Sequence, residues 1–266
     1  MLCDGENEAG MASEEQRWIE VNGARLRYEL RRGDNTIVLL HEMGGTLESF
    51  DALLPHLSEG YGVLRYDQRG AGLSSNATAP LAIDTPADDL AALLDALSIG
   101  PPVAVIGAAV GAAVGIRFAA RVPQRVAALV LLAPAAGIAP ARRAATLEKI
   151  EQLERHGTPT ALGGAIRLDA MSYGATYRML LGLDLEADMR CISAPTLALA
   201  GTRDSFRPPL EVAALAGRIA GARFRTLESG HVMAVETPSL VAAEVTAFLA
   251  RIGFAPGSRR HPPVEQ

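Results

Sequence analysis

A chain of 266 residues is long enough for one substantial buried core, and 49% hydrophobic with 21% charged residues is a globular balance that excludes a disordered chain. A formal charge of −5 leaves no broad cationic surface for a nucleic-acid backbone, so no nucleic-acid partner is expected. Basic pairs such as Arg31-Arg32 and Arg142-Arg143 read as solvated faces. Residues 1–16 are acidic and lack the apolar stretch of a signal peptide, and they read as a disordered tail. Cys3 and Cys191 lie far apart with no CxxC pattern, so neither a disulfide framework nor a cysteine metal site is expected and a cytoplasmic location is the default. The longest uncharged stretch, Pro101 to Ile116, is too short for a membrane span.

Arg17–Val21 and Ala24–Arg31 read as short strands joined by Asn22-Gly23, the pair that a type I′ hairpin turn favours. Strand and helix then alternate. Apolar runs at Thr36–Leu40, Gly62–Tyr66, Val103–Ile106, Val126–Leu132 and Thr196–Ala200 are too short for helices. They are continuous rather than alternating, as parallel strands covered on both faces are. Helices are predicted over Leu47–Leu57, Pro86–Leu97, Ala109–Arg121, Pro208–Ala220 and Pro238–Ile252, with Thr85 and Thr237 as N-caps. This order predicts a mostly parallel, doubly wound α/β sheet with right-handed crossovers. Residues 138–190 break the rhythm with a charged amphipathic stretch, a Gly/Ala-rich piece and a segment containing Met171, Tyr173 and Tyr177. They read as a helical insertion over the carboxyl ends of the strands, where open α/β sheets bind ligands. The core is then 17–137 with 191–253, and 254–266 is a second tail.

The most informative segment is Val103 to Ala113, a strand that runs into Gly107-Ala108-Ala109-Val110-Gly111 and directly on into a helix. So tight a turn strains the backbone at its centre and leaves no room for side chains at its flanks. Ala112, Ala113 and Gly115 then let the helix pack closely. The segment resembles the nucleophile elbow of the α/β-hydrolase fold family, with Ala109 where the family carries serine, cysteine or aspartate. Four further segments resemble the family in the expected order. They are His41-Glu42-Met43-Gly44-Gly45 after the third strand, Asp67-Gln68-Arg69-Gly70-Ala71-Gly72-Leu73-Ser74, Gly201-Thr202-Arg203-Asp204 after the seventh strand, and Gly230-His231 after the last.

The resemblance spans roughly residues 17 to 252. It implies an eight-stranded, mostly parallel sheet with a small helical cap, an acid–histidine pair of Asp204 and His231, and an oxyanion hole built from the N–H groups of Met43 and Val110. Each residue also has a plainer reading: Asp204 as a helix N-cap, His231 as a loop histidine, Ser74 and Ser75 as turn residues, Cys191 as structural. In the family the residue at His41 supports the oxyanion loop. Glu42 replaces a glycine of the family pattern, and reads either as a solvated loop residue or as a carboxylate that disfavours an anionic intermediate. His41, Glu42, Met171, Tyr173 and Tyr177 are the substrate-binding candidates, with Met179 and Leu180 beside them and Arg167 or Arg178 as possible partners for a substrate carboxylate.

A methyl group cannot attack a carbonyl, so no acyl-enzyme forms at Ala109. The alanine is either natural, which its alanine-rich surroundings favour, or an engineered replacement of serine. Asp204 can still orient His231 as a base towards water, and oxyanion donors with binding alone are worth roughly 10³–10⁴-fold over water. That suffices for a reactive enol-lactone, ester or enamine. His41 to Phe50 and Val63 to Ser74 resemble 3-oxoadipate enol-lactonases, and the elbow resembles the aminoacrylate-hydrolase branch. Two other readings stand beside hydrolysis of a small molecule: a lyase, decarboxylase, isomerase or cofactor-free oxygenase with His231 as base, and a non-catalytic binding homologue. No phosphate loop, dinucleotide fingerprint or metal-ligand cluster occurs, so no cofactor or metal is expected.

Overall fold

The computed structural model describes residues 17–77, 80–157 and 169–257. The tail expected at 1–16, most of the Gly/Ala-rich piece and Arg167 lie outside them. Strands β1 (Arg17–Val21) and β2 (Ala24–Arg31) pair antiparallel, Val21 opposite Ala24. Positive φ at both Asn22 and Gly23 makes their turn type I′, whose twist matches that of the strands. There follow β3 (Asn35–Leu40), β4 (Tyr61–Tyr66), α1 (Asp84–Ala96), β5 (Val103–Ala108), α2 (Val110–Arg121) and β6 (Val126–Leu132). Then come α3 (Arg143–His156), α4 (Ala170–Leu181), α5 (Glu186–Cys191), β7 (Thr196–Gly201), α6 (Pro209–Ala216), β8 (Arg223–Leu227), α7 (Met233–Glu236) and α8 (Pro238–Arg251).

The eight strands form one sheet in the order β1-β2-β4-β3-β5-β6-β7-β8, antiparallel at β1 and β2 and parallel throughout the rest. Alternate residues of the central strands feed two cores. Val38, Val105 and Leu129 meet α1, α2 and α6 on one face. Ile37, Ile106 and Val130 meet α8 and the Phe50 and Leu53 side chains on the other. Coverage on both faces explains why these strands read as unbroken apolar runs. Among the described residues no helix is long and apolar enough to cross a membrane.

Two local expectations change. The helix expected over Leu47–Leu57 is a pair of short 3₁₀ turns, Leu47–Phe50 and Leu54–His56. Pro55 has no N–H to offer the preceding turn and its ring disfavours helical geometry before it. Thr85 lies inside α1 rather than capping it, whereas Thr237 stands at the N-cap of α8 as expected, with its hydroxyl donated to Ser229 Oγ at 2.7 Å rather than bonded to the helix. Beyond Gly253 the chain still packs: Phe254 is buried and stacks on Tyr61, whose hydroxyl donates to the Phe254 carbonyl at 2.9 Å.

The sheet order sets the place of the site. From β3 the chain steps outward to β4, and from β5 it steps the opposite way to β6. The loops after β3 and β5 therefore diverge at a topological switch point, where doubly wound sheets open a crevice.

Candidate active site

Five adjacent strands deliver their carboxyl-terminal loops to this crevice. After β5 the backbone turns into α2 within one residue, Ala109, at φ 46° and ψ −105°. A non-glycine residue in that region costs about 1–3 kcal/mol and persists only where its surroundings over-determine it. Here the Ala109 N–H donates to the Leu132 carbonyl at 2.9 Å, and its carbonyl accepts from the Ala135 N–H at 3.0 Å. The flanking glycines are obligatory. A Cβ at Gly107 would sit 2.5 Å from the Ala112 backbone nitrogen, and one at Gly111 would sit 2.2 Å from the Leu40 carbonyl oxygen. Val110 opens α2, so its N–H has no carbonyl in a preceding turn to bond.

After β7, Asp204 is fully buried. Its Oδ1 accepts from the N–H groups of Phe206 (2.8 Å) and Arg207 (3.0 Å), and its Oδ2 faces His231 Nδ1 at 2.7 Å. A carboxylate offers only acceptors, so Nδ1 carries the imidazole proton and Nε2 is left with its lone pair. The His231 loop is itself held. Glu236, from α7, accepts from the N–H of Gly230 through Oε2 (2.9 Å) and from that of Val232 through Oε1 (3.1 Å). The Phe206 ring lies 5.3 Å from the His231 ring, tilted by 51°.

After β3, His41 is buried with both ring nitrogens engaged. Nε2 accepts from the Gln68 N–H at 3.0 Å, so Nδ1 must hold the proton and donate to the Glu42 carbonyl at 2.7 Å. His41 thereby fixes the loop that presents Met43. Glu42 is half-buried rather than solvated, and its Oε1 accepts from Ser49 Oγ at 2.8 Å. Beneath the loop, Asp67 is fully buried against Arg27 and accepts from the Leu47 and Leu73 N–H groups. Ser74 and Ser75 join this Asp67 loop to β2, as turn residues do.

A cavity of about 550 Å³ opens over these groups. Ala109, Val110, Met43, Glu42 and His231 line its floor. Its far wall is made by Arg142, Thr146 and Lys149 with α3, and by Tyr173, Tyr177 and Leu180 of α4. A smaller pocket of about 40 Å³ lies on the other side of Met43 and Tyr173, and His41 and Met179 line it. Burial pushes the Tyr173 phenol up to about 12, with the Tyr177 ring adding to the shift. The two rings meet edge to face at 5.3 Å.

The structure brings together Ala109, Val110, Met43, Glu42, His231, Tyr173 and Tyr177 around one cavity, with Asp204 behind His231. Met171 does not join them; it is 56% exposed on α4 and lines neither cavity. Arg178 is engaged by Glu154 at 2.8 and 2.9 Å. Cys191 ends α5 as an exposed free thiol. Sequence reasoning missed Phe206, Arg207 and Lys149, and set Arg142 aside as a solvated charge. It also missed Glu236, whose two backbone contacts hold the histidine loop. A signal for two of these exists: Arg142, Thr146 and Lys149 stand at i, i+4 and i+7, one helical face.

The family model described as the alpha/beta hydrolase fold matches residues 35–151. A solved hydrolase from Pseudomonas aeruginosa is 30% identical with a TM-score of 0.76, covering 88% of this chain and 98% of that one. The chain belongs to the α/β-hydrolase fold family. Among curated relatives, 3-oxoadipate enol-lactonase 2 of Acinetobacter baylyi is 26% identical, covering 81% of this chain and 88% of its own. A poly(3-hydroxyalkanoate) depolymerase of Ectopseudomonas oleovorans is 28% identical, covering 88% and 92%. This α/β-hydrolase chain is thus similar along most of its length to proteins named for quite different substrates.

Proposed function

We propose that this α/β-hydrolase is an enzyme that hydrolyses a small activated carbonyl compound, an enol-lactone, ester or enamine-derived amide, with a water activated by His231 and without an acyl-enzyme. The observation that carries the reading is the intact Asp204–His231 pair, 2.7 Å apart, beside an elbow whose central residue bears only a methyl group. A pure binding protein has no need of a buried carboxylate that fixes one imidazole tautomer. Family membership and the hydrolase names of its relatives support the same class of activity.

In this reading, a water occupies the space that a longer Ala109 side chain would fill. His231 Nε2 takes its proton as the oxygen attacks the carbonyl carbon. Asp204 stabilises the imidazolium that results. The N–H groups of Met43 and Val110 receive the developing oxyanion, a role for donors fixed in place before the reaction. Collapse of the tetrahedral intermediate breaks the bond to the leaving group, and the imidazolium returns its proton to that group. Helices α3 and α4 act as the cap, and the substrate enters between them and the sheet.

The test is turnover of a panel of 4-nitrophenyl esters and enol-lactones by the native chain and by its His231→Ala and Ala109→Ser variants. The native chain is expected to turn over at least one substrate with no burst, and His231→Ala to lose that activity. A silent native chain rescued by Ala109→Ser overturns the reading and makes the protein a disabled serine hydrolase.

A further inference from the structure

The charges lining the large cavity do not balance. Arg142, Lys149 and Arg207 face it against a single lining carboxylate, Glu42, which is tied to Ser49 on the opposite, floor side. The side chain of Arg207 is 15% exposed and donates through Nη2 to the Gly137 carbonyl at 3.1 Å. Its nearest carboxylate, Glu211, stands 3.9 Å away, is 53% exposed, and is shared with Arg142 at 3.6 Å. Burial first, and then the neighbouring Arg142, push the Arg207 guanidinium below its ordinary pKa, and the opposing pull of Glu211 and Asp204 does not make up the difference, so its charge is under-compensated in the free protein. Lys149 has no carboxylate within 4 Å of its ammonium among the described residues; that ammonium stands 5.0 Å over the Tyr177 ring. A half-buried guanidinium left without a full counter-charge is costly unless a partner arrives.

We propose that the cavity takes a substrate bearing a carboxylate, held against Arg207, Arg142 and Lys149 while its reacting carbonyl lies over Ala109. This rests on the hydrolytic reading above but adds the class of substrate and the residues that select it. The Arg207 backbone N–H already bonds Asp204, the carboxylate that orients His231. The anion's anchor is thus built on the same loop as Asp204, the carboxylate of the catalytic pair. A guanidinium fork matches the two oxygens of a carboxylate, and charge-assisted bonds of this kind are the strong ones. The apolar walls contributed by Ile138, Leu180 and Ala135 suit the short chain that joins the two ends.

Two esters of equal length separate charge from size: the mono-4-nitrophenyl ester of glutarate, anionic at its far end, and neutral 4-nitrophenyl pentanoate. The native chain is expected to favour the anionic ester by at least about tenfold in kcat/KM, as loss of one charge-assisted bond would give. In Arg207→Gln and Lys149→Gln that ratio falls towards one, and Arg207→Lys restores part of it. Lys149 is exposed, so its variant folds whether or not Arg207→Gln does. Equal or reversed preference in the native chain, or a ratio that neither substitution moves, overturns the proposal. Where the native chain hydrolyses neither ester, the hydrolytic reading is decided by the wider panel of esters and enol-lactones, and calorimetry decides the anion site. Glutarate binding that weakens at least tenfold in Lys149→Gln, with no binding of neutral glutaramide, upholds the site; equal binding of the two, or binding of neither, removes it.

Discussion

Replacing Asp204 by asparagine reverses the hydrogen-bonding sense of one atom and changes little else. Two backbone N–H groups, those of Phe206 and Arg207, already converge on Oδ1, so the amide oxygen takes that position and the amide nitrogen faces His231. A donor opposite Nδ1 draws the imidazole into the other tautomer, with its proton on Nε2. In the proposed mechanism the base would then present an N–H, not a lone pair, to the water it is to deprotonate. The equivalent change in Ser-His-Asp triads costs about 10⁴ in kcat with the geometry intact, or about 5.5 kcal/mol at 1.36 kcal/mol per tenfold. Folding stability is expected to change far less, by about 1 kcal/mol, because each hydrogen bond keeps a partner and only its charge assistance is lost. Asp204→Ala, by contrast, strands both backbone N–H groups and is expected to cost about 1–3 kcal/mol for each. Steady-state turnover of whichever ester the native chain hydrolyses, alongside urea unfolding, separates the two effects. An Asp204→Asn variant that folds normally and retains activity within tenfold of the native chain refutes the role given to this pair.

Arg27→Met leaves the fully buried Asp67 without its bidentate guanidinium partner, and removing one member of a buried pair is expected to cost about 3–5 kcal/mol. The urea midpoint reads this, and an unchanged midpoint shows that the pair contributes nothing. Gly111→Ala places a Cβ 2.2 Å from the Leu40 carbonyl oxygen and 2.7 Å from that of His41. Neither backbone atom can yield, so α2 must shift; a loss of about 1–3 kcal/mol or more is expected, together with turnover, and a native melting curve contradicts the packing described. Burial raises the phenols of Tyr61, Tyr66, Tyr173 and Tyr177 above their ordinary value, that of Tyr173 to about 12. In the unfolded chain these groups ionise near pH 10. Above that pH the unfolded state therefore binds fewer protons than the folded one, and stability full at pH 9 is expected to decline as pH rises towards 12. Urea unfolding at pH 8, 10 and 11 checks the sign, and a flat profile refutes it.

How far the sequence reaches depends on whether a feature is enforced by the backbone or by the meeting of distant side chains. The elbow is legible because its geometry tolerates so few residues: Gly107 and Gly111 are each pressed against backbone by the strand and helix they join. The strands are legible because sheet coverage on both faces demands unbroken apolar runs, and the I′ turn because few pairs besides Asn22-Gly23 accept positive φ twice. The 3₁₀ turns after Thr46 are less so, since the apolar residues that suggest a helix serve equally to bury Phe50 and Leu53 among Ile37 and Leu39 of β3. Charge is the least legible of all. Arg178 and Arg142 look alike in the sequence, yet Glu154 engages the first while the second faces a cavity with only a shared, distant carboxylate. What separates them is register on the facing helix. The i, i+4, i+7 rows Arg142-Thr146-Lys149 and Tyr173-Tyr177-Leu180 meet across one space. Either row alone reads as an ordinary amphipathic face. Only their convergence above Ala109 and His231 encloses a cavity that the cations face, and in the proposal above it ties the substrate's charge to the place where its carbonyl would react.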